Sequence, residues 1–326
     1  MEAVLENREA DQVPSSYWFH YIDIPDVKEK ADVHLRFHKA TDMDFMKIMY
    51  EFGYAPDFHV TKPSDWRRLV PQGRKSPEYL KQVELIQRIQ DGLEEDCMVF
   101  TTMFGAFKMA QFMAGEDVLM AHILEDPSSV MAGIRSIADM LADWAEGYCE
   151  LGVDGIMYAT QYGERRRFQK AFWAETVKPC DEIVLSKVHE ANKYILLHMC
   201  GMQQYQKDVE LSRFVGYPMD IASWAVYSSH LSMPEGRDLF KCPVLGGMNN
   251  YGSLTGNDPE MIRKDVQNVI AKVGKAGLVM GADCVILENP RVENIRTAVM
   301  AAREGCAVGR LFDEPIGSAR VMPQGG

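Results

Sequence analysis

Tyr194-Ile-Leu-Leu-His198-Met-Cys200-Gly201 is an apolar run that ends abruptly in a histidine, a cysteine and a glycine. Side chains alternate faces along a strand, so His198 and Cys200, two apart, point the same way, and the glycine after them lets the backbone turn out of a sheet. A same-facing imidazole and thiol make half of a zinc site. Zinc takes about four N, S or O ligands, and the best candidate for another is Cys284, which closes a second apolar run, Leu278-Val-Met-Gly-Ala-Asp-Cys284. The plainer alternative is a core histidine beside a small buried hydrophobe, and for an isolated H-x-C that reading would prevail.

Outward from this stretch, short apolar strands alternate with amphipathic helices, and no Pro/Gly/Ser linker divides them. That pattern points to one α/β domain over residues 1–326, with short irregular termini. Ser15 to Tyr21, aromatic and extended after Pro14, reads as a first strand with His20 near its end. Asp32 to Ala40 reads as helix, and Phe45 to Glu51 as a second strand closing in a carboxylate. The segment after it, with Pro56, Pro63, Trp66, Pro71 and Gly73, reads as a long loop of the kind that carries function. Tyr79 to Leu93 has helical spacing, Met98 to Phe104 is strand three before the Gly105 turn, and a helix continues through Phe112 and Met113. A helix from Pro127, with Val130, Ile134, Ile137, Leu141 and Trp144 on one side, leads to strand four, Gly155 to Thr160. Phe168 to Ala191 is helical, and the opening stretch is strand five. Asp220 to Ala225 is strand six, Pro243 to Met248 strand seven, and strand eight ends at Cys284.

Composition sets exclusions. The chain has 326 residues, 47% hydrophobic and 25% charged, which is that of a folded globular protein. No N-terminal basic segment precedes an apolar core, and no apolar run approaches the roughly 20 residues of a membrane helix, so a cytoplasmic location without membrane contact is expected. A formal charge of -12 argues against nucleic acid; the tight basic triplet Arg165-Arg166-Arg167 reads as a solvated helix face. Seven cysteines without a disulfide-like rhythm suggest reduced thiols. Twenty-one methionines should mostly fill core gaps, although a pliable pocket for a flat ligand would also use them.

Eight strand-helix units in this length are the count of a (β/α)8 TIM barrel, whose catalytic groups sit at the C-terminal ends of the strands. Glu51, His198, Cys200 and Cys284 all fall at such ends. Strands eight, one and two adjoin in a closed barrel, so Glu51 or His20 can reach toward Cys284 and either could be a fourth ligand.

The residues now carry a family resemblance. From Asp11-Gln-Val-Pro14 to Pro290-Arg-Val-Glu-Asn294 the chain resembles the uroporphyrinogen decarboxylase superfamily, and within it the zinc-dependent, corrinoid-linked methyltransferases. Met98 to Gly115, Val244-Leu-Gly-Gly-Met-Asn-Asn250 and the helix start over Gly256 to Val269 are the telling segments. Decarboxylases of this superfamily carry an arginine-rich segment after strand one that grips the acetate side chains of a porphyrinogen. Here the matching run, Trp18-Phe-His-Tyr-Ile-Asp23, has no arginine, so a substrate with many carboxylates would lack its bidentate partners. Decarboxylases also place an aspartate at Glu51 and lack the cysteines. The methyltransferases carry H-x-C after strand five and a cysteine after strand eight, nine residues before a glutamate; Cys284 and Glu293 keep that spacing, and Glu51 matches a glutamate. The resemblance thus implies His198, Cys200 and Cys284 as zinc ligands with Glu51 at a family glutamate, a candidate fourth ligand and catalytic group; His20 is a second catalytic candidate because strand one ends there, where it could also bind substrate, ligate zinc or hydrogen-bond a neighbour.

Zinc would act as a Lewis acid on a thiol or on an ether oxygen. The ether case, O-demethylation of a methoxylated aromatic, is preferred for the aromatic and methionine residues near strand ends. Trp18, Tyr21, Tyr162, Met199, Trp224 and Asn249 are the substrate-binding candidates, with Phe19, Tyr50, Tyr54, Met157 and Met248 beside them. Asn249 and Asn250 also fit plain turn chemistry, and Gln161 a loop. His34, His38, His59, His122, His189 and His230 show no ligand spacing, and surface or loop roles suit most of them. Cys97, Cys149, Cys180, Cys242 and Cys306 read as structural. The chain has no corrinoid-binding domain to spare, so a separate corrinoid protein is the implied partner, and a homodimer would fit the superfamily. The alternatives are a methylcorrinoid:thiol or folate methyltransferase, a non-catalytic metal-binding barrel and, more distantly, a porphyrinogen decarboxylase.

Overall fold

Seven of the eight expected strands form in the computed structural model, which describes residues 1–55, 58–200, 209–286 and 291–312, with side chains to Glu304. Pro56, Gly201, Pro290 and the Cys306 side chain, all invoked above, lie outside the described residues. The strands are β1 (Phe45–Ile48), β2 (Met98–Phe104), β3 (Gly155–Thr160), β4 (Tyr194–Met199), β5 (Ile221–Trp224), β6 (Val244–Met248) and β7 (Leu278–Ala282). They make one sheet in the order β1-β2-β3-β4-β5-β6-β7, every neighbouring pair parallel.

The segment expected as a first strand fills the eighth position without forming a ladder. Ser15 bridges Met280 in parallel, Ser16 N–H donates to Met280 O and Met280 N–H to Pro14 O, while Asp44 N–H donates to Ser15 O. Two of its other donors go to side chains of the loop before β1, Ser15 N–H to the Asp44 carboxylate and Tyr17 N–H to the Met43 sulfur, and Pro14 has no N–H. The run from Pro14 to Trp18 therefore lies between β7 and β1 and closes the barrel.

Ten helices are described: α1 (Glu2–Leu5), α2 (Val27–Thr41), α3 (Pro77–Gly92), α4 (Ala106–Ala114), α5 (Glu116–Glu125), α6 (Pro127–Glu150), α7 (Lys170–Glu190), α8 (Met233–Phe240), α9 (Pro259–Val273) and α10 (Val292–Phe312). Three start alike, with a capping side chain followed by proline: Ser76, Asp126 and Asp258 each accept a backbone N–H from the first turn, and the proline after them has no donor to lose. Asn294 anchors α10 by donating to Leu254 O and Gly256 O. No helix among the described residues is long and apolar enough to cross a membrane.

Strand alternation divides the core in two. Inside the barrel, Phe45, Phe100, Leu196, Ile221, Leu245 and Val279 pack as one layer closed by Val4 of α1; outward residues join the larger cluster under the helices. Gly155 makes the inner layer fit, because a Cβ there would stand 2.3 Å from the Phe100 ring and 2.6 Å from Tyr194 O. Gly155→Ala is accordingly expected to lower stability by about 1–3 kcal/mol. Urea unfolding checks this, and an unchanged midpoint would show that Phe100 yields freely.

The basic triplet is not a helix face. It lies between β3 and α7, where Arg167 is buried against Glu116 and Glu164 with its guanidinium over the Tyr162 ring, and Arg165 pairs with Glu210.

Candidate metal centre and cavity

His198 is the last inward residue of β4, and Cys200 follows two positions on. Cys284 comes two residues after β7 ends, and the sheet curves so that a ring nitrogen of His198 and the two sulfurs all lie within 4.8 Å of one another. The sulfurs are 3.9 Å apart. A disulfide would need about 2.05 Å, whereas two thiolates each roughly 2.3 Å from a tetrahedral zinc stand roughly 3.8 Å apart. His198 is buried, its Nδ1 is 3.0 Å from Ser223 Oγ on the neighbouring strand, and its Nε2 has no hydrogen-bond partner. A buried imidazole nitrogen left without a partner, beside two cysteine sulfurs that are not joined in a disulfide, is a donor set that fits zinc.

The thiols share their protons unequally. The Cys284 thiol lies well below the ordinary range because Cys200 donates to its sulfur and the His198 imidazole adds to that pull; Cys200 lies well above it for donating that bond and for its burial. The first proton leaves easily, and a bound cation would remove the second.

These three groups line a cavity of about 440 Å³ at the C-terminal end of the strands, the size of a small-molecule site. Trp18, His20, Glu51, Gln161 and Asn250 line it as well. Asn250 Nδ2 donates to Val285 O, tying the exit of β6 to the residue after Cys284.

Glu51 is placed at this cavity but not in the cluster. It lies three residues beyond the observed end of β1, and both its oxygens are engaged: His20 Nδ1 and Tyr21 N–H donate to Oε1 at 3.1 and 2.6 Å, and Lys30 Nζ to Oε2 at 2.7 Å. Burial pulls its carboxyl upward, but the bonds from His20, Lys30 and Tyr21 outweigh that, and it lies below its ordinary value. Glu51 thus holds the His20 ring through Oε1 and lies outside the three-donor cluster.

Of the six residues expected to bind substrate, Trp18 alone lines the cavity. Met199 and Trp224 are partners in register on the outward faces of β4 and β5, and Trp224 packs against Phe240 of α8. Tyr162 stacks on Phe168 and bonds to Gln111 and Glu116, Tyr21 packs on His34, and Asn249 Oδ1 accepts Tyr251 N–H in a turn. Alternation is the reason: a residue between two inward positions faces the helices. Inward neighbours, Met49, Thr102, Phe104 and Met157, take their place.

The sequence reading also passed over Lys47, Lys108 and Lys30. Lys47 is on the inward face of β1 between Phe45 and Met49, and a lysine on an apolar inward face was the available signal. Burial lowers its ammonium to about 7, against the pull of Cys284, Glu51 and Cys200.

His34 is not at the surface. It is buried in α2, where Nδ1–H donates to Lys30 O and Nε2 accepts Met49 N–H, and burial lowers it to about 4. His122 is buried too and accepts Trp66 Nε1–H; His59, His189 and His230 are exposed. Because His34 stays neutral when folded, its contribution is fully present above the unfolded value near 6.5 and is lost as pH falls toward 4, by about 3 kcal/mol. His34→Gln is expected to flatten that part of the stability-pH curve. Denaturant unfolding at pH 7.5, 6 and 5 checks it: parallel curves for the two proteins would rule out His34 as the titrating group. Cys149, Cys180 and Cys242 are buried and pushed up to about 11, 12 and 12 by that burial, as inert structural thiols are.

Comparison with known families now bears on this geometry. The family described as "Uroporphyrinogen decarboxylase (URO-D)" matches residues 43–305. The chain belongs to the uroporphyrinogen decarboxylase family. No curated protein matches the sequence significantly. Among solved structures, a methyltransferase from Methanosarcina mazei superposes with a TM-score of 0.69 at 15% identity, covering 93% of this chain and 96% of that one. A B12-independent methionine synthase from Shewanella sp. W3-18-1 follows at 0.59 and 13%, covering 93% and 95%. The endo-1,4-beta-mannanase from Rhizomucor miehei reaches 0.54 at 8%, covering 91% and 95%. At such identities the superpositions establish the barrel. A mannanase among them shows that the barrel alone does not choose the chemistry of this uroporphyrinogen decarboxylase family member.

Proposed function

We propose that this protein is a zinc-dependent methyltransferase that moves a methyl group between a small methoxylated aromatic and the cobalt of a separate corrinoid protein. The observation that carries the reading is the buried, unpartnered His198 Nε2 beside two cysteine sulfurs 3.9 Å apart, at the wall of a cavity in a uroporphyrinogen decarboxylase-family barrel. The solved methyltransferase and methionine synthase that share this barrel support methyl transfer as the reaction class. The absence of an arginine between Trp18 and Asp23 speaks against a porphyrinogen carrying many carboxylates.

His198, Cys200 and Cys284 would hold the zinc, leaving one of about four positions for substrate. Zinc there supplies Lewis acidity toward an ether oxygen or a thiol. Trp18, Met49, Phe104 and Met157 surround an aromatic ring and keep water from it. Loss of the methyl group leaves a phenolate, and His20, whose Nδ1 is held by Glu51, is placed at the cavity to deliver a proton to that oxygen. Ser223 orients His198 through Nδ1.

The test combines zinc-loaded protein, a cobalt(I) corrinoid protein and a panel of methoxyarenes, read by the cobalt spectrum and by release of the phenol. Phenol appearing in step with methylated cobalt is the expected result. Transfer to thiols or tetrahydrofolate from methylcobalamin, with no methoxyarene turned over, would replace the ether reading with the thiol or folate one.

A further inference from the structure

Two ammonium groups in the cavity wall pair with no carboxylate among the described residues. Lys47 is 5% exposed, yet its Nζ meets only the Met49 sulfur, at 2.9 Å, and stands 4.3 Å from the Trp18 ring centroid. Lys108, half-buried on α4, reaches the neutral Gln111 Oε1 at 3.1 Å and stands 4.7 Å from the Phe112 ring centroid. The contrast is Lys30, equally buried but paired with Glu51 at 2.7 Å. An ammonium held out of water with no anion at hydrogen-bond distance is unfavourable, which is why burial lowers Lys47, and a thioether is a weak acceptor. An anion brought to this wall by the ligand would supply the pairing that neither lysine has.

The rest of the lining limits what that ligand is. Met49, Phe104, Phe112 and Met157 add apolar and aromatic surface to the cavity that the two lysines and the His198, Cys200 and Cys284 cluster also line. We infer that the substrate is an aromatic methyl ether that also carries a carboxylate, with Lys47 and Lys108 gripping the carboxylate and so setting selectivity for methoxybenzoates over neutral methoxyarenes. This rests on the methyl-transfer reading for the ether but not for the carboxylate. The competing role for both lysines is to face the thiolates, since Cys284 and Cys200 also draw on Lys47, and Cys200 on Lys108.

Calorimetric binding to the zinc-loaded protein separates the two, with 4-methoxybenzoate and methoxybenzene as probes and Lys47→Met and Lys108→Met as variants. The wild type is expected to bind the benzoate at least about 30-fold more tightly than the neutral ether, as a charge-assisted pair in a dry site would give. Lys47→Met should lower benzoate affinity by about tenfold or more, leaving methoxybenzene binding and zinc content unchanged, and Lys108→Met should do so to a smaller extent. Lys47→Met nearly keeps the volume and removes an unpaired charge, so folding is not threatened. Equal affinity for the two probes in the wild type would overturn the inference, as would a preference that survives both substitutions. Loss of zinc in Lys47→Met with the preference intact would assign the amine to the thiolates instead. If carboxylate preference holds while no methyl group is transferred, the proposed reaction and the ether fail and the carboxylate-gripping role of the lysines stands; demethylation of neutral ethers without any preference gives the reverse.

Discussion

Cys284→Ala is expected to leave the purified protein with below about a tenth of the zinc held by the wild type after both are offered the metal under reducing conditions. The expectation rests on how few donors the cluster has. Among the described residues His198, Cys200 and Cys284 are the group of three whose ligand atoms lie within 4.8 Å of one another, and Glu51 has both oxygens committed to His20, Tyr21 and Lys30 rather than poised to substitute. Losing one of three should therefore exceed the roughly 10–100-fold loss of affinity that follows removal of an outer-shell partner. Cys200→Ala and His198→Ala should behave alike, because each removes one of the three donors and no further histidine or cysteine among the described residues joins the cluster. Elemental analysis together with a thiol titration reads the result: one zinc per chain in the wild type protects two thiols, and Cys284→Ala frees the remaining one. Full zinc content in Cys284→Ala would place the metal elsewhere and remove the basis of the proposed reaction.

Lys30→Met carries the largest expected loss of stability, about 3–5 kcal/mol near neutral pH. Lys30 and Glu51 are each 2% exposed and 2.7 Å apart, and Lys30 also donates to Tyr21 O. Removing the ammonium leaves an ionised carboxylate buried with only His20 and the Tyr21 amide to solvate it. Lys30→Met/Glu51→Gln should recover much of the loss, because an amide has no charge to desolvate. The pH dependence has a definite sign. Glu51 in the wild type lies below its ordinary value, so its contribution is complete above that value and is lost as pH falls through the lowered one. In Lys30→Met the same carboxyl should rise, so the deficit relative to wild type narrows on acidification. Urea unfolding of the four proteins of the cycle at pH 7 and pH 5 measures both effects. A deficit below about 1 kcal/mol at pH 7, the scale of an exposed pair, would mean that water reaches Glu51 when Lys30 is gone.

The two predictions address different parts of one cavity, and that division was only half legible beforehand. His198 and Cys200 could be paired from the sequence because strand alternation is a local rule, and Cys284 could be added because apolar runs ending in chemical residues mark strand ends. The same rule, applied to Met199 and Trp224, would have sent them outward; their aromatic and methionine chemistry suggested a cavity that their register denies them. Glu51 was legible as a cavity group, but Lys30 was not, because it arrives from α2 and only packing brings it to the carboxylate. The eighth strand position was found, although Pro14 and the Asp44 and Met43 side chains reduce it to a bridge.

What the sequence by itself determined is the order of strands and helices, the barrel that eight such units imply, and the identity of the sulfur and imidazole donors, since each follows from patterns within about ten residues. What only the tertiary structure decided is which groups share an environment: the three donors in one cluster, Glu51 bound to Lys30 rather than beside the thiols, and Lys47 left in the wall without an anion. Those are consequences of closing the sheet. Closure brings together residues as far apart in the chain as Cys200 and Cys284, 84 positions, and burial then sets what each charge must find as a partner.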